Sequence, residues 1–185
     1  MTASTGDVMF SKPRYASQAS THPARHRVVV AQDAAHAATL LEPATPTLLL
    51  CLSGELPTAI EQECFADPLG LYLRLQLLLE DAQVGTRLYV VGDETFLWHV
   101  YRLARHAGLL GDEIELFKRG ERKRLFCVHC STFQDIGEVG ETCCSHCGVR
   151  LLVREHFSRR LGAYMGVCID PDQPYADGRS VEARP

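Results

Sequence analysis

No run of apolar residues in this 185-residue chain approaches the ~20 that a membrane-spanning helix needs. The opening stretch, MTASTGDVMFSKPRYASQASTHPARHR, lacks the apolar centre of a secretory signal. Asp7 and the missing amphipathic stripe argue against a mitochondrial-type address, so a cytoplasmic chain is expected. There is no G-x-G-x-x-G, no Walker A loop and no Ser/His/Asp nucleophile arrangement. Neither a glycine-cradled nucleotide nor a hydrolytic nucleophile is therefore expected. No internal repeat recurs. Positive charge is not in surplus: 19 Lys and Arg stand against 23 Asp and Glu, for a net charge of −4.

Cysteine is what the chain has in quantity, with eight. Four of them form two C-x-x-C pairs, Cys127/Cys130 and Cys144/Cys147, with thirteen residues between the pairs. Each pair can close a tight turn that points two thiolates at one place. Four thiolates at about 2.3 Å suit a tetrahedral metal. In a chain without a secretory signal such pairs read as metal ligands rather than disulfides. Structural Zn²⁺ is the first reading. Mononuclear Fe at the same Cys₄ site is the alternative, because thiolates accept both. A Cys₄ site is closed, so Lewis-acid catalysis is not expected there, and no catalytic residue is assigned. Gly148 and the run Val149 to Val153 after the second pair predict a metal-tied β-hairpin, a zinc ribbon or rubredoxin-like module. His129 and His146 lie inside the C-x-x-C loops and are expected to face solvent. Cys51, Cys64, Cys143 and Cys168 are irregularly placed and read as reduced core or surface residues.

Hydrophobic patterning organises the rest. Residues 1–26 lack periodicity and are expected to be a disordered extension, with an apolar patch around Phe10 and Tyr15. Residues 27–118 read as an α/β domain. Val28 to Val30 predicts a strand, the Ala-rich stretch 31–41 a helix, Thr47 to Leu52 a buried strand, and 57–64 a short helix. The Leu-dense stretch 68–81 is read as a helix. Arg87 to Gly92 predicts a strand, Asp93 an N-cap, 93–107 an amphipathic helix and Glu113 to Phe117 another strand. Strand, helix and strand with short joints predict a βαβ unit and a parallel sheet. Residues 119–168 are the Cys₄ module, and 169–185 a flexible tail. Trp98, Tyr101 and Arg105, at i, i+3 and i+7 of the amphipathic helix, suggest either an interface or core packing. His99 and His106 are assigned no chemistry.

Charge is uneven. Residues 117–161 carry nine Lys and Arg against five acids, a local +4, which leaves −8 on the remainder. A basic ribbon raises nucleic-acid binding as an alternative, but the acidic remainder opposes a polyanion. Arg154, His156, Phe157, Arg159, Arg160 and Tyr164 combine arginine with aromatics, the composition of a protein-docking surface. No nucleic acid and no membrane partner are expected.

Two stretches carry family resemblances. TLLLCLSGELPTAI resembles the first strand and phosphate loop of the nicotinamide-binding domain of ferredoxin reductases, and TRLYVVGDETFLWHVYRLARHAGLLGDEIELF resembles that domain's last strand–helix–strand. Here Glu55, Leu56 and Pro57 replace most of the loop glycine, and Asp93 and Glu94 put carboxylates where phosphate would sit. The resemblance implies a partial, doubly wound parallel sheet that has lost its nucleotide. FCVHC…CSHCGVRLLVREHFSRRLGAYMGV, with the upstream α/β pattern, resembles the small subunit of bacterial dimethylamine monooxygenase. That resemblance implies a non-catalytic accessory subunit of a haem-dependent N-demethylase. It would dock or bridge a haem-bearing large subunit and a flavin and iron–sulfur reductase subunit, in an NADPH-dependent conversion of dimethylamine to methylamine and formaldehyde. A rubredoxin-like electron-transfer subunit of the same complex is the alternative.

Overall fold

A central strand flanked by parallel neighbours on both sides sets the architecture of the first half. The computed structural model describes residues 12–42 and 44–175. The expectations for residues 1–11 and 176–185, including the Phe10 patch, lie outside the described residues. The chain divides into two compact units, one spanning Arg14–Gly120, the other beginning at Glu121 and taking in Lys12.

The first unit is a five-stranded, all-parallel sheet. Its strands are β1 (His26–Asp33), β2 (Thr47–Ser53), β3 (Glu61–Cys64), β4 (Thr86–Gly92) and β5 (Ile114–Lys118). Their order is β3-β2-β1-β4-β5. Three helices cross between them: α1 (Ala34–Ala37), α2 (Pro68–Glu80) and α3 (Glu94–His106). Alternation along the strands separates two cores. Val29, Ala31, Leu49, Cys51, Tyr89, Val91 and Phe117 pack with Ala34, Ala37 and Leu40. Val28, Val30, Leu50, Leu88 and Val90 point the other way and are likewise buried. Near-continuous apolar strands are the mark of a sheet covered on both faces. The expected doubly wound parallel sheet is thus present, and the β4–α3–β5 unit is parallel, with Leu88 opposite Ile114 and Val91 opposite Phe117.

Four expectations need correction. The helix expected over 31–41 starts three residues late: β1 runs on to Asp33 because β2 and β4 pair with it through Ala31, and helical turns follow from Ala34 to Leu40. Asp33 then caps only a one-turn helix, accepting from Ala35 N at 2.8 Å. The helix expected over 57–64 is the edge strand β3, with Leu48 to Cys51 pairing Glu61 to Cys64. Gln62 fixes that geometry by binding the Leu56 backbone twice, at 3.2 and 2.9 Å, so sheet pairing overrides weak strand propensity. The fold's first strand is therefore HRVVVAQD, and TLLLCL is the second. Residues 14–25 are not free. Tyr15 OH accepts from Trp98 Nε1 at 3.0 Å, Ala16 N bonds Leu116 O at 2.8 Å, and Ser20 binds the Glu115 carboxylate through its amide at 2.8 Å and its hydroxyl at 2.5 Å. Trp98, buried and edge-on to Tyr101, is core packing and not an interface.

The strand order reverses between β1 and β4, where open α/β sheets bind ligands at the strands' carboxyl ends. Here that crevice is spanned by a side chain of the chain itself. Gln32 Oε1 accepts from Asp93 N at 2.6 Å and its Nε2 donates to Asp93 Oδ2 at 2.9 Å. A Cβ at Gly92 would lie 2.5 Å from Gln32 Oε1 and 2.8 Å from the Phe96 ring, which explains the glycine. Asp93 Oδ1 caps α3 by accepting from Phe96 N at 2.9 Å. Glu94, buried beside it, meets Lys118 Nζ at 3.3 Å. The positive end of the helix dipole is answered by two carboxylates of the chain itself.

The second unit is a five-stranded sheet of β6 (Lys123–Cys127), β7 (Thr132–Ile136), β8 (Glu141–Cys143), β9 (Arg150–Ser158) and β10 (Ala163–Cys168), in the order β7-β6-β10-β9-β8. Three hairpins build it: β6–β7, β8–β9 and β9–β10. Strand β10 pairs β9 antiparallel and β6 parallel, so it is the middle strand. Gly166 in β10 admits the Leu151 and Leu125 side chains to 3.0 and 3.1 Å of where a Cβ would stand.

Replacing Asp93 with Ala removes the α3 cap and one end of the Gln32 bridge. A loss of about 1–2 kcal/mol in unfolding free energy is expected, read as a lower denaturation midpoint. Asp93→Asn, which keeps an acceptor, should recover most of it. An Ala variant as stable as the parent would contradict the account of this crevice.

Candidate metal centre

The two C-x-x-C turns are built alike. In the first, Ser131 N bonds Cys127 O at 2.8 Å and Ser131 takes φ of 58°; in the second, Gly148 N bonds Cys144 O at 2.9 Å and Gly148 takes φ of 74°. Each is a single tight turn closed by the residue after its second cysteine, which must enter the left-handed region. Glycine does so freely, and Ser131 is the one non-glycine among the described residues that does so. The first turn joins β6 to β7, the second joins β8 to β9, and β10 lies between β6 and β9. Val128 N bonds Gly166 O at 3.0 Å, tying the first turn to that middle strand.

The sheet brings the four sulfurs of Cys127, Cys130, Cys144 and Cys147 within 4.8 Å of one another. A tetrahedron with bonds of about 2.3 Å has edges of about 3.8 Å. Cys127 to Cys147 is 3.9 Å and Cys130 to Cys144 is 3.6 Å, both close to such an edge. Cys127, Cys144 and Cys147 are buried with Leu125, Ile136, Val149 and Leu151, while Cys130 is half-buried. Thr132 Oγ1 lies 2.9 Å from Cys130 Sγ.

Protons would divide unevenly over these sulfurs. Burial pushes the Cys127 thiol up, and pushes Cys147 up to about 12. Burial acts on Cys144 too, but the backbone N–H groups of Cys147 and His146 outweigh it and bring that thiol down to about 6. Amide N–H groups aimed at sulfur are what a thiolate needs when it is removed from water. Four thiolates this close repel one another unless a cation lies among them. The donor set, spacing and amide donors therefore fit one tetrahedral metal ion. When bound, the metal supplies a closed cross-link between two hairpins; an iron ion would add one-electron chemistry.

The other predicted site residues are placed less favourably for docking. Phe157 is buried, with its ring 5.0 Å from Tyr164 edge-on, and Lys123 Nζ stands 5.0 Å over the Tyr164 ring. Phe157 is thus core, which corrects its assignment as a contact residue. Arg154, His156, Arg159 and Arg160 are exposed on β9 and the turn after it. The stretch His156 to Val167 runs from β9 into the middle strand, β10. Much of the local positive charge is answered within the unit: Lys123 by Glu138 at 2.9 Å, Arg150 by Glu141 at 3.3 Å and Arg122 by Asp135 at 3.8 Å. His129 and His146 are exposed as expected. Residues 169–175, predicted to be frayed, turn back over the first knuckle. Asp170 Oδ1 accepts from Asp172 N and Gln173 N at 3.2 Å, and the Tyr175 ring lies 5.6 Å from His129.

Sequence reasoning missed one surface. Helix α2 carries two leucine stripes on opposite sides. Leu71, Leu75 and Leu79 are buried, whereas Leu69, Leu73 and Leu77 are 65%, 55% and 60% exposed. The spacing was visible in LGLYLRLQLLLE. Which stripe faces the sheet was not, because both repeat every four residues.

A parallel sheet of order 3-2-1-4-5 without a glycine-rich phosphate loop, followed by a pair of Cys₂ knuckles, defines a two-part α/β and metal-knuckle protein. Residues 55–114 and 124–167 match the N-terminal and C-terminal domains described as dimethylamine monooxygenase subunit DmmA-like. The chain is 44% identical over 167 residues to the haem-dependent oxidative N-demethylase delta subunit of Ectopseudomonas mendocina (strain ymp), covering 90% of this chain and 92% of that one. The chain belongs to the DmmA-like subunit family. Among solved structures, phthalate dioxygenase reductase aligns with a TM-score of 0.42 at 12% identity, over 65% of this chain and 46% of the reductase. The chain spans under half of that reductase, and the fold assignment rests on strand order instead.

Cys144→Ser should abolish tight metal binding and unfold the sheet of 123–168, since metal binding and folding are coupled in small modules. The parallel sheet of 26–118 should persist. Far-UV circular dichroism with hydrogen exchange checks both halves. Simultaneous loss of protection in both sheets would contradict independent folding.

Proposed function

We propose that this chain is an accessory subunit of a haem-dependent oxidative N-demethylase, holding a haem-bearing large subunit and a flavin and iron–sulfur reductase subunit together. The complex would be the NADPH-dependent one that converts dimethylamine to methylamine and formaldehyde. The resemblance to the delta subunit of such an enzyme over nine-tenths of the chain supports the assignment of system. The observation that carries the docking role is the exposed stripe Leu69, Leu73 and Leu77. Exposed single leucines are ordinary, but three in register on one helix form a contiguous apolar surface of the kind that marks an interaction site. On this reading α2 is covered on both sides, by the sheet within the chain and by a partner subunit outside it. Arg154, His156, Arg159, Arg160 and Tyr164 are a second, polar contact area on the knuckle unit.

The metal in this reading is Zn²⁺ and is structural. A Cys₄ set leaves no open coordination position. The α/β unit is proposed to work without a nucleotide. A phosphate at the start of α3 would face Asp93 and Glu94, and the amide it needs is already bonded to Gln32. The chain is proposed to act in the cytoplasm, with neither nucleic acid nor membrane as partner. No helix among the described residues is long and apolar enough to cross a membrane. Electron transfer by iron at the knuckles is the second reading, favoured by the half-buried Cys130 that brings one ligand near solvent.

The variant Leu69→Ser/Leu73→Asp/Leu77→Ser tests the docking role. Because these side chains are exposed, the folding midpoint should move by less than about 0.5 kcal/mol per site. Co-purification with the two larger subunits should fall at least about tenfold, the cost of losing even one buried leucine contact. Unchanged co-purification would overturn the assignment of α2. Full, stable demethylase activity without this chain would overturn the accessory role itself.

A further inference from the structure

Cys51 and Cys64 take no part in the metal centre. They face each other across adjacent parallel strands, Cys51 of β2 in register with Cys64 of β3. Their sulfurs lie 2.8 Å apart. Both also reach the Gly54 carbonyl oxygen, at 3.6 and 3.2 Å, and Cys51 reaches Glu63 O at 3.8 Å. Cys51 is wholly buried; Cys64, on the edge strand, is exposed. Paired strands set neighbouring Cα atoms roughly 4.8 Å apart, inside the roughly 4.4–6.8 Å that a disulfide tolerates. Side chains in register on paired strands leave on the same face, so the two thiols already share one. Closure needs only side-chain rotation and a small shift of an edge strand that has no neighbour on its far side.

We propose that Cys51 and Cys64 are a redox pair that closes reversibly to an intramolecular disulfide, with a low-molecular-weight disulfide as oxidant. The exposed Cys64 thiolate attacks one sulfur of the small disulfide, forming a mixed disulfide and releasing one small thiol. Cys51 then attacks Cys64 Sγ, and its proton passes to the departing sulfur, which leaves as the second small thiol. Two protein thiols are oxidised and one small disulfide is reduced to two thiols. The division of roles follows from placement: an incoming disulfide can reach Cys64 but not Cys51. Burial and the facing Cys64, with the Asp33 and Glu55 carboxylates nearby, hold the Cys51 thiol up at about 12. In the reduced pair it is therefore a thiol that donates to backbone carbonyls. Those donations end when the disulfide forms, which favours a bond that can be reduced again. The disulfide fastens β3, the outermost strand, to β2.

The test uses the full, metal-loaded chain treated with oxidised glutathione and digested without reduction for mass spectrometry. The expected product is a Cys51–Cys64 linkage lighter by two hydrogens. It should bring a rise in Tm of about 5 °C or more from restraint of the unfolded chain, reversed by dithiothreitol. Cys64→Ser should show neither change. Cys51→Ala should keep glutathione on Cys64 as a stable adduct. Should Cys51→Ala fail to fold, the exposed Cys64→Ser still decides the matter. Glutathione remaining on Cys64 of the parent chain beside a free Cys51 would overturn the proposal. So would a Cys64 linkage to any other cysteine, or no reaction at Cys64.

Discussion

Four sulfur atoms gathered within 4.8 Å of one another make a site suited to a cation. As thiolates they repel one another. The unit's core gathers Leu125, Ile136, Val149 and Leu151 around the cysteines themselves, and Phe157 and Ala163 are buried as well. An apolar core in a module of this size contributes only a few kcal/mol, so a metal cross-link adds much of its stability. A metal held there would tie the β6–β7 and β8–β9 hairpins together on either side of β10.

The α/β unit shows a different economy. Its strand order creates a crevice at the carboxyl ends of β1 and β4, and the chain fills it. Gln32 takes up the Asp93 amide, and Asp93 and Glu94 answer the α3 dipole. What remains is a layered scaffold with an exposed row of leucines, Leu69, Leu73 and Leu77, on α2. A scaffold with an apolar outer helix and a metal-locked appendage suits a subunit that organises larger partners.

Much of this was legible in sequence, for stated reasons. The C-x-x-C spacing fixed the ligand set because only local turn geometry is involved. Asp93 as a cap and β4–α3–β5 as a unit were readable because strand alternation gives way to a helical period there. The β3 strand was hidden, because Glu61 to Cys64 is polar and becomes a strand only by pairing with β2. The true length of β1 was hidden for the same reason, since Ala31 to Asp33 has helical composition and two parallel neighbours. Phe157 read as a surface aromatic because β9 carries charge on either side of it, yet its ring points inward to Tyr164. The order of the 14–25 stretch depends on contacts more than 80 residues away, such as Tyr15 with Trp98, which no local pattern records.

The central claim is that the Cys₄ centre holds shape and carries no electrons. Metal analysis and a visible absorption spectrum of this chain within the complex isolated from its native host test it most directly. Zinc equimolar with the chain, and no absorption bleached by dithionite that is traceable to it, is the predicted result. Equimolar iron with a thiolate-to-iron absorption that bleaches on reduction would contradict the claim and make the chain an electron carrier.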